Sequence, residues 1–311
     1  MIQPYRHISS AVEGAKQRVR RRLKREEVSL KFPWKKFNQL HLGGMEWGML
    51  MTAAGLSGAG KTLFMGQIYR EIFDLNPEND FAVALFNFEM VGERLIIRDA
   101  IAKTGMDKDK ILTANGSFMG EHDLRVLEEV WDSETYKKPI YLIEKPCTPT
   151  DYVDTIEDIY KKTGKRVLGI SDHSLLFKGD KESDTERKVL VDLALNIIEQ
   201  KNEGYSSHIV LTQLNREMET ATRRTPCSPL NYPDKSCIFG SDALYQGSDT
   251  VLAIHRPAML NFNGLTYGPD KLATGVDDIY FHYLKLRDGD MGYISEMKAD
   301  FKNMRILDKG I

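Results

Sequence analysis

The sequence has little of what staples or anchors a chain. Its three cysteines in 311 residues, Cys147, Cys227 and Cys237, form no C-x-x-C pair and have no histidine nearby at metal-ligand spacing. This spacing supports neither a disulfide framework nor a zinc site. No apolar run approaches the roughly 18 residues of a membrane span, and the basic N-terminus lacks the roughly 7–15 apolar residues of a signal peptide. A reducing, cytoplasmic setting with no membrane partner is expected. Net charge is also nearly absent, with 43 Lys+Arg against 45 Asp+Glu giving −2. A composition 41% hydrophobic and 28% charged is that of a globular chain and excludes wholesale disorder. At roughly 150 residues per domain the length suggests two domains, or one large α/β domain with a small addition.

The charge balance hides an asymmetry. Eleven basic and three acidic residues fall in residues 1–36, a net of +8, which leaves −10 for the rest. Ser10-Ala11-Val12-Glu13 has the capping-box pattern that starts a helix. Val12, Ala15, Val19 and Leu23 then recur at steps of three and four and form one apolar stripe among arginines. Three readings stand for this arm: a basic helix on its own core, a helix docked on another subunit, or a nucleic-acid contact. Residues 1–41 are expected to be the arm and residues 42–311 the main domain.

Beyond residue 42, short apolar runs alternate with helical patterns. The apolar runs are Gly48 to Ala54, Phe81 to Phe88, Pro139 to Glu144, Arg166 to Ser171, Ser207 to Thr212 and Thr250 to His255. Helices are expected at Lys61 to Leu75, Gly92 to Lys103, Glu121 to Asp132, Asp151 to Lys162 and Val189 to Lys201. This alternation predicts an α/β fold with a mostly parallel sheet covered on both faces. Asp278 to Leu286 with Gly292 to Ala299 should close it as an antiparallel hairpin.

Gly55-Leu56-Ser57-Gly58-Ala59-Gly60-Lys61-Thr62 satisfies the P-loop pattern G-x-x-x-x-G-K-[ST] between a strand and a helix. In that context backbone N–H groups of Gly55, Ser57, Gly58, Ala59 and Gly60 wrap phosphates at a helix N-terminus. Lys61 reaches the β and γ phosphates of ATP, and the Thr62 hydroxyl ligates Mg2+. Such a site also needs carboxylates. Asp172 ends the run Val167 to Ser171 and is expected to hold the metal shell. Glu89 ends the run Ala82 to Phe88 on the same sheet edge and is expected to orient the attacking water. Gln213 ends the next strand, where it either senses the γ-phosphate or satisfies a loop as a buried amide.

Taken together, these motifs resemble the C-terminal motor domain of DnaB-type replicative hexameric helicases, a RecA-like ATPase family, from about Gly43 to Ile306. Phe88-Glu89-Met90 is similar to the family's S-L-E-M, with Arg98 on the arginine of the next helix. Thr212-Gln213-Leu214-Asn215-Arg216 is nearly S-Q-L-N-R, and Ser241 to Asp249 keeps Ser241, Gln246 and Asp249 of S-G-S-I-E-Q-D-A-D. Lys285-Leu286-Arg287-Asp288-Gly289 resembles K-Q-R-N-G. The resemblance implies that Arg287 is an arginine finger, with Lys285 beside it, delivered to a neighbouring subunit's ATP. It further implies a homo-oligomer, a hexamer, that moves on single-stranded DNA with a primase or helicase loader as partner. The arm then looks like the linker helix docked on an adjacent motor. Departures also stand out: Leu175 replaces a coupling glutamine, Cys237 to Gly240 replace D-L-R-E, and the family's N-terminal domain is expected to be absent.

Two loops are candidates for DNA. Lys178 to Lys188 carries Lys178 but no net positive charge, and residues 215–240 carry Arg216, Arg223 and Arg224. Arg223-Arg224 is the leading candidate, and a ring would repeat these few charges into a positive channel. Two other functions remain open: a RecA-type ATP-dependent scaffold on DNA or protein, and a replication-factor-recruiting ATPase without unwinding.

Overall fold

The computed structural model describes residues 5–26, 29–113, 119–133, 137–239, 242–261, 265–289 and 292–309. Gly240 and Ser241, two positions of the resemblance, lie outside the described residues. Two helices come first, α1 (Ile8–Leu23) and α2 (Lys35–Leu40). The alternating body follows as β1 (Leu50–Gly55), α3 (Lys61–Leu75), β2 (Phe81–Asn87), α4 (Gly92–Thr104), α5 (Lys108–Leu112), α6 (Glu121–Trp131) and β3 (Ile140–Ile143). It continues through α7 (Pro149–Thr163), β4 (Arg166–Asp172), α8 (Glu186–Lys201), β5 (Ser206–Gln213), α9 (Asp242–Gly247) and β6 (Thr250–His255). Strands β7 (Asp278–Leu286), β8 (Ile294–Asp300) and β9 (Arg305–Asp308) end it.

Among the described residues the strands form one sheet in the order β3-β2-β4-β5-β1-β6-β7-β8-β9. Strands from β3 to β6 run parallel, and β7, β8 and β9 add on antiparallel. This is the expected RecA-like α/β architecture, with β9 as an unforeseen extra edge. The apolar runs are continuous because both faces are covered. Along β2, Phe81, Val83 and Leu85 enter the core beneath α3, while Ala82, Ala84 and Phe86 enter the one beneath α7 and α8. Helix α7 shows how local sequence sets an element. Thr148 Oγ1 accepts from Asp151 N at 3.1 Å, Asp151 accepts from Thr148 N at 3.1 Å, Pro149 opens the first turn, and Gly164 at φ +67° stops the helix.

The expected boundary at residues 41/42 falls inside the core and must move. Leu30, Phe32, Trp34 and Phe37 are each at most 1% exposed and join the cluster beneath α3. Trp34 stacks on Phe64 at 4.6 Å, meets Phe281 edge-on at 5.2 Å, and donates its indole N–H to the Ile306 carbonyl at 2.9 Å. The packed body therefore begins near Leu30, which basic residues around an aromatic cluster disguise in the sequence.

The proposed helix start at Ser10 is also corrected. Helix α1 begins at Ile8 with His7 as its cap, the imidazole accepting from Ser9 N at 3.2 Å. Its apolar stripe stays exposed, Val12 at 49% and Leu23 at 85%, so the helix does not bury itself on its own core. Arg18 and Arg22 instead tie it to Glu46, Arg18 at 2.5 Å. No helix among the described residues is long and apolar enough to cross a membrane.

Candidate active site

Register places the end of β1 beside its neighbours' ends, since Gly55 pairs with Gln213 of β5 and with Ile254 of β6. The chain from Gly55 to Thr62 therefore turns at the C-terminal edge of the parallel strands, where α/β sheets bind ligands. Gly58 at φ +76° and Gly60 at φ +103° take backbone conformations that side chains disfavour. A Cβ on Gly58 would also sit 2.8 Å from Met259 Cε. Ser57 and Gly58 are exposed at the tip and Ala59 is buried beneath it. The Lys61 ammonium folds back over the loop and donates to the carbonyls of Gly55 at 2.8 Å and Leu56 at 3.2 Å.

Two carboxylates act on that lysine through space. Asn87 pairs with Asp172, so the ends of β2 and β4 are level, and Glu89 follows two residues on, exposed. Asp172 is 1% exposed; burial pushes its carboxyl up to about 6, the Glu89 charge adds to this, and Lys61 and the Thr62 hydroxyl oppose it. Burial presses Lys61 down while Asp172 and then Glu89 pull it up. Lys61, Thr62, Asp172 and Glu89 are thus within electrostatic reach of one another. Asp172 Oδ2 is buried without a hydrogen-bond partner, and an orphaned carboxylate oxygen beside a hydroxyl suits a hard divalent cation such as Mg2+. Glycine backbone for phosphates and oxygen ligands for the metal make a fit for a magnesium nucleotide. Gln213, half-buried, ends β5 at the same level.

Lys285 and Arg287 lie at the other edge of the sheet. Leu286 pairs with Thr250, the first residue of β6, and Arg287 N donates to Asp249 O at 2.9 Å. From the level of Leu50 to that of Gly55 the sheet runs about 17 Å, at roughly 3.3 Å per residue, longer than an extended arginine side chain. Neither cation reaches the P-loop of its own chain. Lys285 donates to the carbonyls of Tyr245 at 2.9 Å and Gln246 at 2.8 Å, and Arg287 pairs with Asp249 at 2.7 Å.

One residue at the site escaped sequence reasoning. Arg256 follows β6, donates to the Gly58 carbonyl at 3.3 Å and Val276 O at 2.8 Å, and stacks over Phe301 at 4.4 Å. Its position straight after a parallel strand was the available signal.

The four DNA candidates separate. Lys178, Arg216 and Arg224 are exposed. Arg223, half of the leading pair, is 6% exposed, and its guanidinium is engaged by the carbonyls of Leu230 and Tyr232 and the carboxylates of Glu217 and Asp234. It holds the 215–239 loop together and is withdrawn as a DNA contact. That loop, expected to be irregular, winds through four short 3₁₀ turns. The first loop is shorter than expected, because α8 starts at Glu186 and takes in Arg187 and Lys188.

A glycine-rich strand-to-helix turn at the C-terminal edge of a RecA-like sheet defines the class. Residues 31–303 match the DnaB-like helicase C terminal domain family, to which the chain belongs. It is 21% identical over 252 residues to the replicative DNA helicase DnaB of Pasteurella multocida (strain Pm70), an overlap of 81% of this chain and 50% of that protein. The chain thus spans about half the length of this curated relative. Among solved structures, an isolated ATPase domain superposes with a TM-score of 0.78 at 18% identity, covering 99% of this chain and all of that one. A DnaB-like replicative helicase, described with its interactions with primase, gives 0.75 at 18% identity over 91% of this chain and 64% of its own.

Proposed function

We propose that this chain is an ATP-driven motor of the DnaB type that hydrolyses ATP between subunits and moves along single-stranded DNA. One observation carries this reading: the phosphate loop and its two carboxylates share one edge of the sheet, while the cations suited to the γ-phosphate sit at the other. A subunit can complete its site only by borrowing Arg287 and Lys285 from a neighbour, which requires a ring or filament, and the family points to a hexamer. A guanidinium supplied in trans is worth roughly 10³–10⁵ in rate.

Mg2+ bound at Thr62 and Asp172 would neutralise charge on the β and γ phosphates. Glu89 orients the water and takes its proton, Lys61 leaves the Gly55 and Leu56 carbonyls for the phosphates, and Gln213 faces the γ-phosphate from β5. Arg256 and Phe301 are placed to grip the base. DNA contact falls to Lys178, Arg216 and Arg224, each repeated around the ring. A primase or a helicase loader is the protein partner this reading suggests.

Leu175 favours a second reading, that of an ATPase that recruits replication factors without unwinding. Where the resembled family has a polar coupling residue, Leu175 packs against the apolar cluster beneath α8. The deciding experiment measures ATPase activity with and without single-stranded DNA, together with solution mass in Mg2+ and ATP and unwinding of a forked duplex. DNA-stimulated turnover by a ring-sized species that opens the fork is expected, and Lys61→Ala should abolish turnover. A DNA-insensitive monomer would overturn the motor reading, and a stimulated ring that never opens the fork would favour recruitment.

A further inference from the structure

The root of the Lys285–Arg287 hairpin rests on a buried group that no part of the reaction has yet used. Asp249 is 3% exposed and its two carboxylate oxygens do different work. Oδ2 accepts from Leu50 N at 2.8 Å and from the Lys201 ammonium at 2.5 Å, and Oδ1 receives Arg287 Nη1 at 2.7 Å. Backbone bonds frame the group: Asp249 N donates to Leu50 O at 2.8 Å and Arg287 N to Asp249 O at 2.9 Å. Lys201, the last residue of α8, is 4% exposed, while the Arg287 side chain is 54% exposed. One carboxylate therefore faces two cations, and one of those is sealed inside the domain.

The charge count matters for a finger. A guanidinium paired with a lone buried carboxylate is neutralised and offers little to a phosphate. Here Lys201 already balances Asp249, so the triad keeps one positive charge, and it resides on the exposed guanidinium. The contact uses a single nitrogen, which leaves the remaining donors of the fork facing outward. We infer that Asp249 is a positioning residue that fixes the Arg287 finger in register for the neighbouring subunit, and that Lys201 cancels the holder's charge so that the finger keeps its own. This rests on the proposal that Arg287 acts in trans. Lys285 is built in similarly, on backbone carbonyls at the end of α9, with no carboxylate among those contacts.

The test compares turnover in pure and mixed oligomers. Asp249→Asn combined with Lys201→Met removes both buried charges and avoids stranding an unpaired lysine. With an untethered finger, kcat in DNA-stimulated hydrolysis should fall by roughly 10²-fold, the cost expected of a misplacement of about 1 Å, with KM for ATP and ATP binding little changed. Lys201→Met alone should also lower kcat, because Asp249 then neutralises Arg287 in place. Mixing either variant with Lys61→Ala subunits should restore activity, since the variant's P-loop is intact and the Lys61→Ala neighbour supplies an intact finger. Arg287→Ala mixed with Lys61→Ala is the reference. Wild-type kcat in the double variant overturns the inference. So does a defect that Lys61→Ala subunits fail to rescue while the reference mixture recovers, because Asp249 would then be supporting its own subunit. A reference mixture that does not recover removes the trans finger itself, and this inference with it.

Discussion

Asp172→Asn should make the nucleotide-free protein more stable while disabling it. Burial raises the Asp172 carboxyl from its usual 3.8 to about 6, with Glu89 adding and Lys61 and Thr62 opposing. The folded state therefore binds the proton more tightly than the unfolded state. The contribution of this carboxyl to stability is most favourable below pH 3.8, falls as pH rises through the window from 3.8 to about 6, and levels off above it. At about 1.4 kcal/mol per pH unit the ionised carboxylate costs roughly 3 kcal/mol at pH 7–8. An uncharged isostere avoids that cost. With an unfolding entropy of about 2 cal/mol/K per residue, this amounts to a rise of about 4–5 °C in melting temperature.

The assay is thermal or urea unfolding of both proteins without nucleotide at pH 8 and again near pH 4, at one protein concentration. The gap should be largest at pH 8 and close towards pH 4, where both side chains are neutral. Adding Mg2+ and ATP should reverse the order, because the wild type gains a ligand for the metal that the variant lacks. A variant that melts at or below the wild type at pH 8 would refute the argument that this carboxylate is held ionised against its burial.

Trp34→Ala should cost about 3–5 kcal/mol in unfolding free energy, as for other buried aromatics, because it removes the stack on Phe64 and the bond to Ile306. A surface-like effect below about 0.5 kcal/mol would restore the domain start to residue 42. Arg223→Ala should destabilise the protein by roughly 1–3 kcal/mol, since two carbonyls and two carboxylates are left without their donor. Arg224→Ala should leave the melting temperature alone and flatten the salt dependence of single-stranded DNA binding, by about 0.7 in log–log slope for each phosphate no longer neutralised. An unchanged slope would remove Arg224 from the DNA surface.

What the sequence revealed and what it hid divide along physical lines. Features carried by local pattern were legible. The glycine-rich turn after β1, α3 from Lys61 to Leu75 and β6 from Thr250 to His255 stand where glycine spacing and apolar period put them. Features decided by a partner far along the chain were not. Trp34 looks like part of a basic linker until Phe64, Phe281 and Ile306 surround it. Arg223 and Arg224 are indistinguishable as a dipeptide, and only folding of the loop puts Glu217 and Asp234 around the first. Strand β9 is four residues long, too short to show a period. Among the candidate site residues, Lys61 and Thr62 are read from the glycine-lysine-threonine pattern that opens α3, and Asp172 and Glu89 from strand ends. Arg256 follows a parallel strand directly, but its contact with Gly58 is set only when β6 lies beside β1.

The same distinction bears on how a signal could cross the domain. Asp172 and Gln213 end strands β4 and β5, which pair directly, as Ser171 with Val210. Just beyond Asp172, Ser174 Oγ donates to Thr212 Oγ1 at 2.9 Å in a fully buried contact. A change at Asp172 is therefore joined to the strand that leads into the 215–239 loop by one hydroxyl pair, one residue before Leu175. Replacing a polar side chain with Leu175 leaves that link intact. On the proposed motor reading, the replacement removes one route between the nucleotide edge and the loop while a shorter one remains, and fork unwinding is a sharper test of that reading than the identity of residue 175.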